Sequence, residues 1–332
     1  MKESEIRPQK LFNRYLALAK KDNKKFFSDQ SSFIETPCPS CGNEKQMPGI
    51  EKHGFTYVLC SDCGSLYLSP RPPADMYDLY YREAESVNFW STHFYKETAE
   101  ARRQQIYRPR AQMVAKLAGQ SGLLAGNSSL FADIGAGYGL FLEEVENLHL
   151  FDRIIGIEPS AKMAQVCRDR GFDVIQKYVE DTEGVGIDAT FLTAFEVIEH
   201  VLDPLAFLLS AKCILRNGGL LMFTTLTVSG FDIQILWENS KSVYPPHHIN
   251  LLSIEGFRRL VERSGLELIS LQTPGELDVD IVRNIYLEKS DIDIPRFAVS
   301  IINASEMARS DFQNFLKANN FSSHVQIIAR RP

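Results

Sequence analysis

The feature that most constrains this chain is a glycine-rich turn directly after a short apolar run. The pattern over residues 129–134 indicates a buried strand, and residues 140–145 indicate the helix after it. Between them, Gly135, Gly137 and Gly139 allow the backbone to approach a ligand closely. Their G-x-G-x-G spacing differs from the dinucleotide fingerprint G-x-G-x-x-G, and no Lys-Ser/Thr pair follows as in a P-loop. The turn therefore predicts a nucleotide-type site of another kind.

Two acidic residues accompany this turn. Asp133 precedes it in the first strand, and Glu158 follows the next apolar run, residues 154–157. In an open parallel sheet, ligands bind outside the carboxyl ends of the strands, where the strand order reverses. A carboxylate at the end of the second strand can accept both hydrogens of a ribose diol there. We therefore expect the turn and Glu158 to contact the same ligand.

These residues resemble a known family. The motif D-x-G-x-G-x-G from Asp133, with Glu158, resembles the cofactor site of class I S-adenosylmethionine-dependent methyltransferases. Residues 191–201 resemble the fourth-strand motif of that family, residues 215–221 resemble the turn into its fifth strand, and the likeness covers residues 126–275. It implies an α/β, Rossmann-like sheet of seven strands in the order 3-2-1-4-5-7-6, with the seventh strand antiparallel. The alternative is a Rossmann-type domain without a methyl donor.

The resemblance places cofactor contacts on four strand-end loops. The first loop holds the methionine portion and the second, through Glu158, the ribose. In the third loop, Val179 and Glu180 match the apolar-acidic pair of the family, and Asp181 is the alternative acid. The fourth loop lies beside the sulfonium. The expected cofactor-binding residues are Asp133, Gly135, Gly137, Gly139, Glu158, Val179, Glu180, Phe195 and Glu196.

Three histidines are candidates for the catalytic base. Methyl transfer is an in-line displacement, so the protein supplies positioning, desolvation and a base when the nucleophile is a hydroxyl. His200 follows the fourth-strand motif, and His247 and His248 follow the fifth strand. The structural alternatives are that His200 caps the next helix and that the Pro-Pro-His-His segment only fixes the loop before Ser253.

The same region contains a metal-binding pattern. Glu196, Glu199 and His200 form E-x-x-E-H, and a helical turn would bring the three side chains to nearby faces. With His247 or His248 they would bind a divalent ion, Mg²⁺, that polarises an acceptor hydroxyl. Some class I methyltransferases for quinone precursors and RNA ends resemble this arrangement and use magnesium, whereas many others carry a similar motif without metal. Both hypotheses stay open.

The cysteines predict a second site. The chain has six, and two C-x-x-C pairs, residues 38–41 and 60–63, are separated by eighteen residues and each is followed by glycine. This spacing is typical of a zinc site, in which Cys38, Cys41, Cys60 and Cys63 close a tetrahedron and leave no open position. Paired redox thiols are the alternative. Cys167 and Cys213 lie on helical patterns and are expected in the core.

The N-terminal third predicts a separate module. The zinc ribbon, a proline turn at residues 69–73 and a helix from Ala74 resemble the N-terminal module of bacterial methyltransferases that act on small molecules, including nucleotide-linked sugars and polysaccharide precursors. We predict an N-terminal helix in residues 1–35, a zinc ribbon in 36–72, a helical linker or lid in 73–125, and a methyltransferase domain in 126–332 with a helical insertion at 274–320.

The charged residues argue against a nucleic-acid partner. The formal net charge is −6, whereas a surface built for nucleic acid is basic. Four lysines end the first predicted helix but are interrupted by Asp22, so we expect a solvated helix end rather than an anion-binding patch. Asp278 and Asp280 are likewise expected to be solvated acids at a helix start, with substrate binding as the alternative. The lysines are Lys20, Lys21, Lys24 and Lys25.

Four arginines lie in a predicted helix over residues 90–117. In the resembling enzymes a helix here covers the cofactor. With an anionic acceptor, the same arginines would instead hold phosphate. They are Arg102, Arg103, Arg108 and Arg110.

Together these features predict a methyltransferase that uses S-adenosylmethionine and structural Zn²⁺. The expected acceptor is a small polar molecule, attacked at a hydroxyl or carbon of a sugar or sugar-derived intermediate. No stretch is apolar enough to span a membrane, and the N-terminus lacks a signal-peptide core, so a cytoplasmic protein is expected. Two alternatives remain: an RNA methyltransferase that grips nucleic acid with the ribbon, and a non-catalytic scaffold. Acceptor identity and oligomeric state are not predicted.

Overall fold

The computed structural model describes residues 3–124, 128–289 and 292–332. The chain divides into two compact units, which we call the ribbon unit and the sheet unit. The ribbon unit comprises Met1–Ala99, Leu226–Phe257 and Gln272–Val325, and the sheet unit comprises Glu100–Thr225, Arg258–Leu271 and Gln326–Pro332. The domain boundary predicted between residues 125 and 126 lies outside the described residues.

The regular elements follow one another along the chain. The α-helices are α1 (Glu3–Ile6), α2 (Gln9–Phe26), α3 (Ala74–Glu83), α4 (Glu85–Phe89), α5 (Tyr95–Arg102), α6 (Arg108–Ser121), α7 (Leu140–Glu146), α8 (Ala161–Asp169), α9 (Pro204–Ile214), α10 (Phe231–Leu236), α11 (Ile254–Arg263), α12 (Asp278–Glu288), α13 (Arg296–Ile302) and α14 (Glu306–Ala318). The strands are β1 (Gln46–Lys52), β2 (Phe55–Cys60), β3 (Leu66–Leu68), β4 (Leu130–Ile134), β5 (Arg153–Ile157), β6 (Asp173–Ile175), β7 (Ala189–Phe195), β8 (Leu215–Leu226), β9 (Asn250–Leu251), β10 (Glu267–Gln272) and β11 (His324–Arg330).

The helix predicted over residues 90–117 is helical throughout, with π-helical turns at Trp90–Phe94 and Arg103–Tyr107. Single 3₁₀ turns lie at Val179–Asp181 and Trp237–Asn239. Among the described residues, no helix combines the length and apolar character needed to span a membrane.

The sheet unit is built on a seven-stranded sheet of order β10-β11-β8-β7-β4-β5-β6. β4 pairs in parallel with β5 and β7, and β5–β6 and β7–β8 are also parallel. The Gly218 N–H donates to the Arg331 carbonyl at 2.7 Å, and the Arg331 N–H donates to the Gly219 carbonyl at 3.0 Å, so β11 runs antiparallel to β8. Numbered along the chain from β4 and read from β6, the order is 3-2-1-4-5-7-6. The predicted fold class is confirmed.

The centre of this sheet is apolar on both faces. All five residues of β4 are buried, and Phe131 and Phe191 are fully inaccessible to solvent with ring centroids 6.2 Å apart. Such continuous apolar runs are typical of parallel strands covered by helices on both sides. Burial of each phenylalanine contributes about 1.5–3 kcal/mol. The carboxyl ends of β4, β5 and β7 are thereby held at fixed positions.

The ribbon unit contains a second sheet, of order β1-β2-β3-β9. β1, β2 and β3 are consecutive antiparallel strands. The fourth strand is distant in sequence: Leu66 pairs with Leu251 and Tyr67 with Asn250. The sequence did not predict this partner, because a two-residue strand carries no periodic signal. The cysteine ribbon is therefore part of a larger sheet.

The insertion at residues 274–320 contains α12, α13 and α14, as the sequence predicts. Its core includes Val282, Ile285, Ile302 and Leu316, each at most 2 % exposed. This apolar packing fixes the three helices as a bundle within the ribbon unit.

Two buried carboxyl groups lie close together in the same unit. Asp232 is 0 % and Asp278 2 % exposed, so the expectation of a solvated Asp278 is wrong. Asp278 accepts hydrogen bonds from Gln313 Nε2 at 2.8 Å, Ser322 Oγ at 2.5 Å and the Ser323 N–H at 2.7 Å. Both carboxyl oxygens of Asp232 lack a hydrogen-bond partner in the described part of the chain. Burial, and then the neighbouring Asp278, raise the pKa of Asp232 well above its usual value.

We expect Asp232→Asn to remove a pH dependence of stability. The folded protein keeps the Asp232 proton to higher pH than the unfolded chain does, so the wild-type free energy of unfolding falls as pH rises above about 4, at roughly 1.4 kcal/mol per pH unit from this group. The asparagine does not titrate. Urea denaturation between about pH 4 and pH 8 should therefore show a stability difference that grows with pH in favour of the variant. Asp280→Asn is the control, and parallel curves for wild type and Asp232→Asn would contradict the prediction.

Candidate functional site

The glycine turn lies at the carboxyl end of β4. Gly135, Gly137 and Gly139 have φ of +75°, +55° and +73°, the left-handed region that favours glycine. At Gly135 a Cβ atom would lie 2.7 Å from Val197 Cγ2. The Gly135 N–H donates to the Ile157 carbonyl at 2.8 Å, which ties the turn to the end of β5. The backbone conformation thus requires the glycines that the sequence singled out.

Glu158 stands directly beside this turn, as the sequence predicts. Its side chain is 5 % exposed. Oε2 accepts a hydrogen bond from the Gly137 N–H at 2.9 Å, and Oε1 accepts one from the Ser160 N–H at 2.9 Å. Burial raises the pKa of Glu158, while these two N–H groups oppose that effect. Ser160 also caps α8, so the carboxylate is fixed between the turn and a helix start.

Asp133 is the second buried acid of the site. It is 4 % exposed, and Thr193 Oγ1 on β7 donates to its Oδ1 at 2.6 Å. Burial raises the pKa of Asp133 to about 7. The group therefore titrates near neutral pH, where a cation bound nearby would favour its charged form.

The third predicted loop forms the 3₁₀ turn Val179–Asp181. Val179 is 2 % exposed, whereas Glu180 lies at the surface. The assignment of this pair to the adenine side of the cofactor stays a prediction. Asp181, the alternative acid, is also exposed.

The fourth loop contains an ion pair. Glu196 has φ of +55°, a conformation that costs a non-glycine residue about 1–3 kcal/mol. Thr224 holds it there, because Glu196 N–H donates to the Thr224 carbonyl at 2.9 Å and Thr224 Oγ1 donates to Glu196 Oε1 at 2.8 Å. Arg110 Nη2 donates to the same Oε1 at 2.6 Å, and its guanidinium carbon lies 4.5 Å from the Phe195 ring centroid. Arg110 thus contacts both residues: its guanidinium stacks on the Phe195 ring and pairs with the Glu196 carboxylate.

Glu199 and His200 follow in a tight turn. Glu199 is 1 % exposed and accepts a hydrogen bond from Thr225 Oγ1 at 2.7 Å. Burial, and then the charge of Glu196, raise the pKa of Glu199 to about 8. The ligand atoms of Glu199 and His200 lie within 4.8 Å of each other. Asp203, not His200, is the N-cap of α9, so the capping alternative for His200 is wrong.

The arginines of the predicted lid helix are engaged in ion pairs. Arg103 pairs with Glu143 and, at 2.9 Å, with Glu144. Arg108 Nε lies 3.1 Å from Glu144 Oε2. With Arg110 on Glu196, three of the four arginines contact carboxylates of the sheet unit. These contacts oppose the hypothesis that the group holds phosphate.

His247 and His248 lie in a loop of the ribbon unit. His248 Nδ1 lies 2.6 Å from the Ser242 carbonyl oxygen. Because a carbonyl only accepts, Nδ1 carries the proton and Nε2 keeps its basic lone pair. His247 is 7 % exposed, and its Nε2 shares a hydrogen bond of 2.8 Å with Tyr80 Oη. The two histidines therefore have different environments, and Nε2 of His248 has the form a base requires.

The four paired cysteines converge in the ribbon unit. Their Sγ atoms all lie within 4.8 Å of one another, and two Sγ–Sγ distances, Cys38–Cys63 and Cys41–Cys60, are 3.5 Å. A tetrahedron with Zn–S bonds of about 2.3 Å has edges of roughly 3.8 Å, which matches this spacing. The sulfurs are too far apart for disulfides. The donor set fits Zn²⁺.

The remaining cysteines differ from each other. Cys167 is buried, as expected, and its Sγ contacts the Gly137 carbonyl at 3.1 Å. Cys213 is exposed, so its expected core position is wrong. It lies near the end of α9, where an apolar helical pattern does not specify which residue faces solvent.

Sequence reasoning missed the hydroxyl partners of the buried acids. Thr193, Thr224 and Thr225 lie in β7 and β8 and donate to Asp133, Glu196 and Glu199, respectively. A threonine within an otherwise apolar buried strand is the signal that would have found them, because a buried hydroxyl needs a partner. Arg110 had no comparable signal, since helical position does not reveal a distant carboxylate.

The chain is similar to solved structures of methyltransferases. A S-adenosylmethionine-dependent methyltransferase from Thermotoga maritima is 19% identical with a TM-score of 0.45, over 73% of this chain and 100% of that chain. The plantazolicin methyltransferase BpumL is 12% identical with a TM-score of 0.46, over 73% of this chain and 93% of that chain.

A curated relative and a family profile also match. A ubiquinone biosynthesis O-methyltransferase of Cereibacter sphaeroides (strain ATCC 17025 / ATH 2.4.3) is 27% identical over 165 residues, which are 48% of this chain and 60% of the relative. The chain thus spans less than two thirds of that relative. The family described as "Methyltransferase domain" matches residues 100–271, more than half of the chain. The chain therefore belongs to the methyltransferase domain family.

Proposed function

We propose that the protein transfers a methyl group from S-adenosylmethionine to a small polar acceptor. The observation that carries the proposal is the buried carboxylate of Glu158, bound by the N–H groups of Gly137 and Ser160 beside the glycine turn. This arrangement provides a ribose acceptor at the end of β5 and an open backbone turn at the end of β4. Family membership supports the same activity.

The residues of the sheet unit fit this cofactor. Glu158 would accept the ribose hydroxyls, and the turn at Gly135 and Gly137 would hold the methionine portion. Val179 and Glu180 would flank the adenine. Bound S-adenosylmethionine supplies an activated methyl group on a sulfonium. The full cofactor-binding set remains Asp133, Gly135, Gly137, Gly139, Glu158, Val179, Glu180, Phe195 and Glu196.

Three acids of the sheet unit, Asp133, Glu196 and Glu199, would lie near the positive charge of such a ligand. Burial raises the pKa of both Asp133 and Glu199, while Glu196 is paired with Arg110. A sulfonium near Asp133 would favour ionisation of that carboxyl group.

We assign the proton-accepting role to His248. Its Nδ1–H donates to the Ser242 carbonyl, so the ring proton lies on Nδ1. The lone pair of Nε2 can then accept a proton from an acceptor hydroxyl. The arrangement matches the orientation of a general base by a second group. His200 and His247 remain the other catalytic candidates. Nε2 of His247 is already engaged by Tyr80, which disfavours it.

The proposed acceptor is a hydroxyl of a sugar or sugar-derived intermediate. The relative from Cereibacter sphaeroides is named as an O-methyltransferase, which supports an oxygen nucleophile. The likeness of the cysteine ribbon to the N-terminal module of sugar-modifying methyltransferases supports the substrate class. The net charge of −6 and the paired arginines disfavour nucleic acid.

We further propose that the four ribbon cysteines hold structural Zn²⁺. Cys38, Cys41, Cys60 and Cys63 supply four sulfurs at tetrahedral spacing, which leaves no open coordination position. The ion would therefore stabilise the ribbon without taking part in the reaction.

Zinc-binding pairs together with the unpaired Cys167 and Cys213 favour a reducing, cytoplasmic location.

A divalent ion at Glu196, Glu199 and His200 is the second candidate for acceptor activation. The closeness of Glu199 and His200 favours it. The bond from Arg110 to Glu196 disfavours it, because a cation would compete with the guanidinium for that carboxylate. We therefore propose a metal-independent base.

One experiment tests the reaction and the base together. The protein is incubated with methyl-labelled S-adenosylmethionine and fractionated cytosolic metabolites, and the labelled product is identified by mass spectrometry. We expect label in a small hydroxylated metabolite, turnover that persists with EDTA, and loss of about 100-fold or more in His248→Asn. His149→Asn, an exposed histidine of the sheet unit, is the control.

The other outcomes identify the alternatives. Label in RNA would establish that the protein is an RNA methyltransferase. Loss of turnover with EDTA, restored by Mg²⁺ while zinc stays bound, would establish the divalent site. Failure to bind S-adenosylmethionine by calorimetry would indicate a scaffold.

A further inference from the structure

His247 lies inside a cage of tyrosines in the ribbon unit. The ring centroids of Tyr80, Tyr81, Tyr15 and Tyr244 lie 5.3, 5.8, 6.0 and 6.2 Å from that of His247. These rings come from α2, α3 and the loop that carries the histidine. The imidazole therefore has little freedom to change its orientation.

A buried polar chain continues from this imidazole. Tyr80 Oη shares hydrogen bonds with His247 Nε2 at 2.8 Å and with Ser86 Oγ at 3.3 Å. The Ser86 N–H donates to Asp22 Oδ2 at 2.7 Å. Tyr80, Ser86, Asp22 and His247 are all at most 7 % exposed. Burial raises the pKa of Tyr80, so its phenol stays neutral and keeps the proton that this chain needs.

The loop around the two histidines is compact. The N–H groups of His247 and His248 both donate to the Tyr244 carbonyl, at 3.1 and 3.0 Å. Asn23 Nδ2 donates to the Pro245 carbonyl at 3.0 Å, and Tyr57 Oη donates to the His248 carbonyl at 2.8 Å. The backbone is thus fixed on both sides of His247, and the two histidines are consecutive residues of one hydrogen-bonded segment.

We propose that Tyr80 is a positioning residue: its hydroxyl anchors His247 and thereby sets the orientation of His248. This inference rests on the proposed function, in which His248 accepts the proton. Tyr80 contacts neither reacting atom in this scheme. It acts through the two adjacent residues of the loop, as a buried anchor for a partly buried base.

The helix that carries Tyr80 offers a matched control. Tyr77 lies one turn earlier in α3 and is 4 % exposed, but its hydroxyl has no hydrogen-bond partner within the described ranges. Tyr80→Phe removes a hydroxyl that is hydrogen-bonded to His247, whereas Tyr77→Phe removes one with no hydrogen bond to the described residues. The two substitutions are otherwise identical in chemistry and similar in burial.

The test combines kinetics with histidine NMR. We expect Tyr80→Phe to lower kcat between about tenfold and 100-fold and to change its pH profile, because the base is misplaced. The KM for S-adenosylmethionine should stay unchanged, and Tyr77→Phe should stay within about twofold of wild type. In ¹⁵N spectra, we expect wild-type His247 Nε2 to show a hydrogen bond that is lost in Tyr80→Phe, with a concurrent change at His248.

The outcomes separate this inference from the proposed function. If His248→Asn is inactive while Tyr80→Phe has the wild-type kcat and pH profile, the positioning role is wrong and the base assignment stands. Full activity of His248→Asn would overturn the base assignment instead. Wild-type spectra without a hydrogen bond at His247 Nε2 would overturn the inference whether or not the variant folds.

Discussion

Replacing Cys38 by serine is expected to abolish zinc binding and to unfold the cysteine ribbon. Cys38 is 1 % exposed and its Sγ lies 3.5 Å from that of Cys63, so serine leaves a three-sulfur site with a poor fourth ligand. Structural zinc contributes on the order of 10 kcal/mol in small zinc-binding peptides. Few other interactions in a ribbon of this size can replace that stabilisation.

Zinc content by mass spectrometry and unfolding in urea measure this effect. We expect about one zinc per wild-type chain, none in Cys38→Ser, and an early loss of structure in the variant. Cys213→Ser is the matched control, because Cys213 is exposed and far from the cluster in sequence. A Cys38→Ser protein that remains folded and zinc-loaded would show that the metal assignment is wrong.

Replacing Glu158 by alanine is expected to weaken S-adenosylmethionine binding by about 100-fold or more. A buried, charge-assisted hydrogen bond contributes about 1.5–3 kcal/mol, and the proposed ribose contact uses both carboxylate oxygens. The same oxygens fix the Gly137 and Ser160 N–H groups, so the alanine also loosens the glycine turn. Both effects reduce affinity.

Calorimetry with a second variant separates the two effects. Glu158→Gln keeps one oxygen for the turn but removes the charge, and we expect an intermediate affinity. Glu146→Ala, an exposed residue at the end of α7, is the control and should bind like wild type. Zinc content should stay unchanged in all three variants. Wild-type affinity in Glu158→Ala would show that the carboxylate does not contact the cofactor.

The sheet unit was largely predictable because its signals are local. The local sequence specifies the geometry here: an apolar run forms the strand, three glycines adopt positive φ, and an acid follows at the end of the next strand. The predicted strand order is confirmed. A threonine in an apolar strand signals that Thr193 needs a partner, but neither that partner nor the carboxylate bound by Arg110 was predictable. These contacts join side chains that are distant in sequence, and no local preference of the chain encodes such a pair.

The ribbon unit was less predictable for the same reason. The C-x-x-C spacing predicted the convergence of the cysteines, which the structure bears out. The bond between Tyr80 and His247 joins residues 167 positions apart, and the pairing of Leu66 in β3 with Leu251 in β9 joins residues 185 positions apart. Asp278 was misjudged because its sequence position at a helix start says nothing about the elements that cover it.

The β3–β9 pairing links metal occupancy to the histidine loop. Leu66 lies three residues after Cys63, and its partner Leu251 lies three residues after His248. The Ser253 N–H also donates to Ser65 Oγ at 3.1 Å, next to the cysteines. Removal of the proposed zinc is therefore expected to loosen the histidine loop through β3 and β9, whereas binding of S-adenosylmethionine to the sheet unit should be retained.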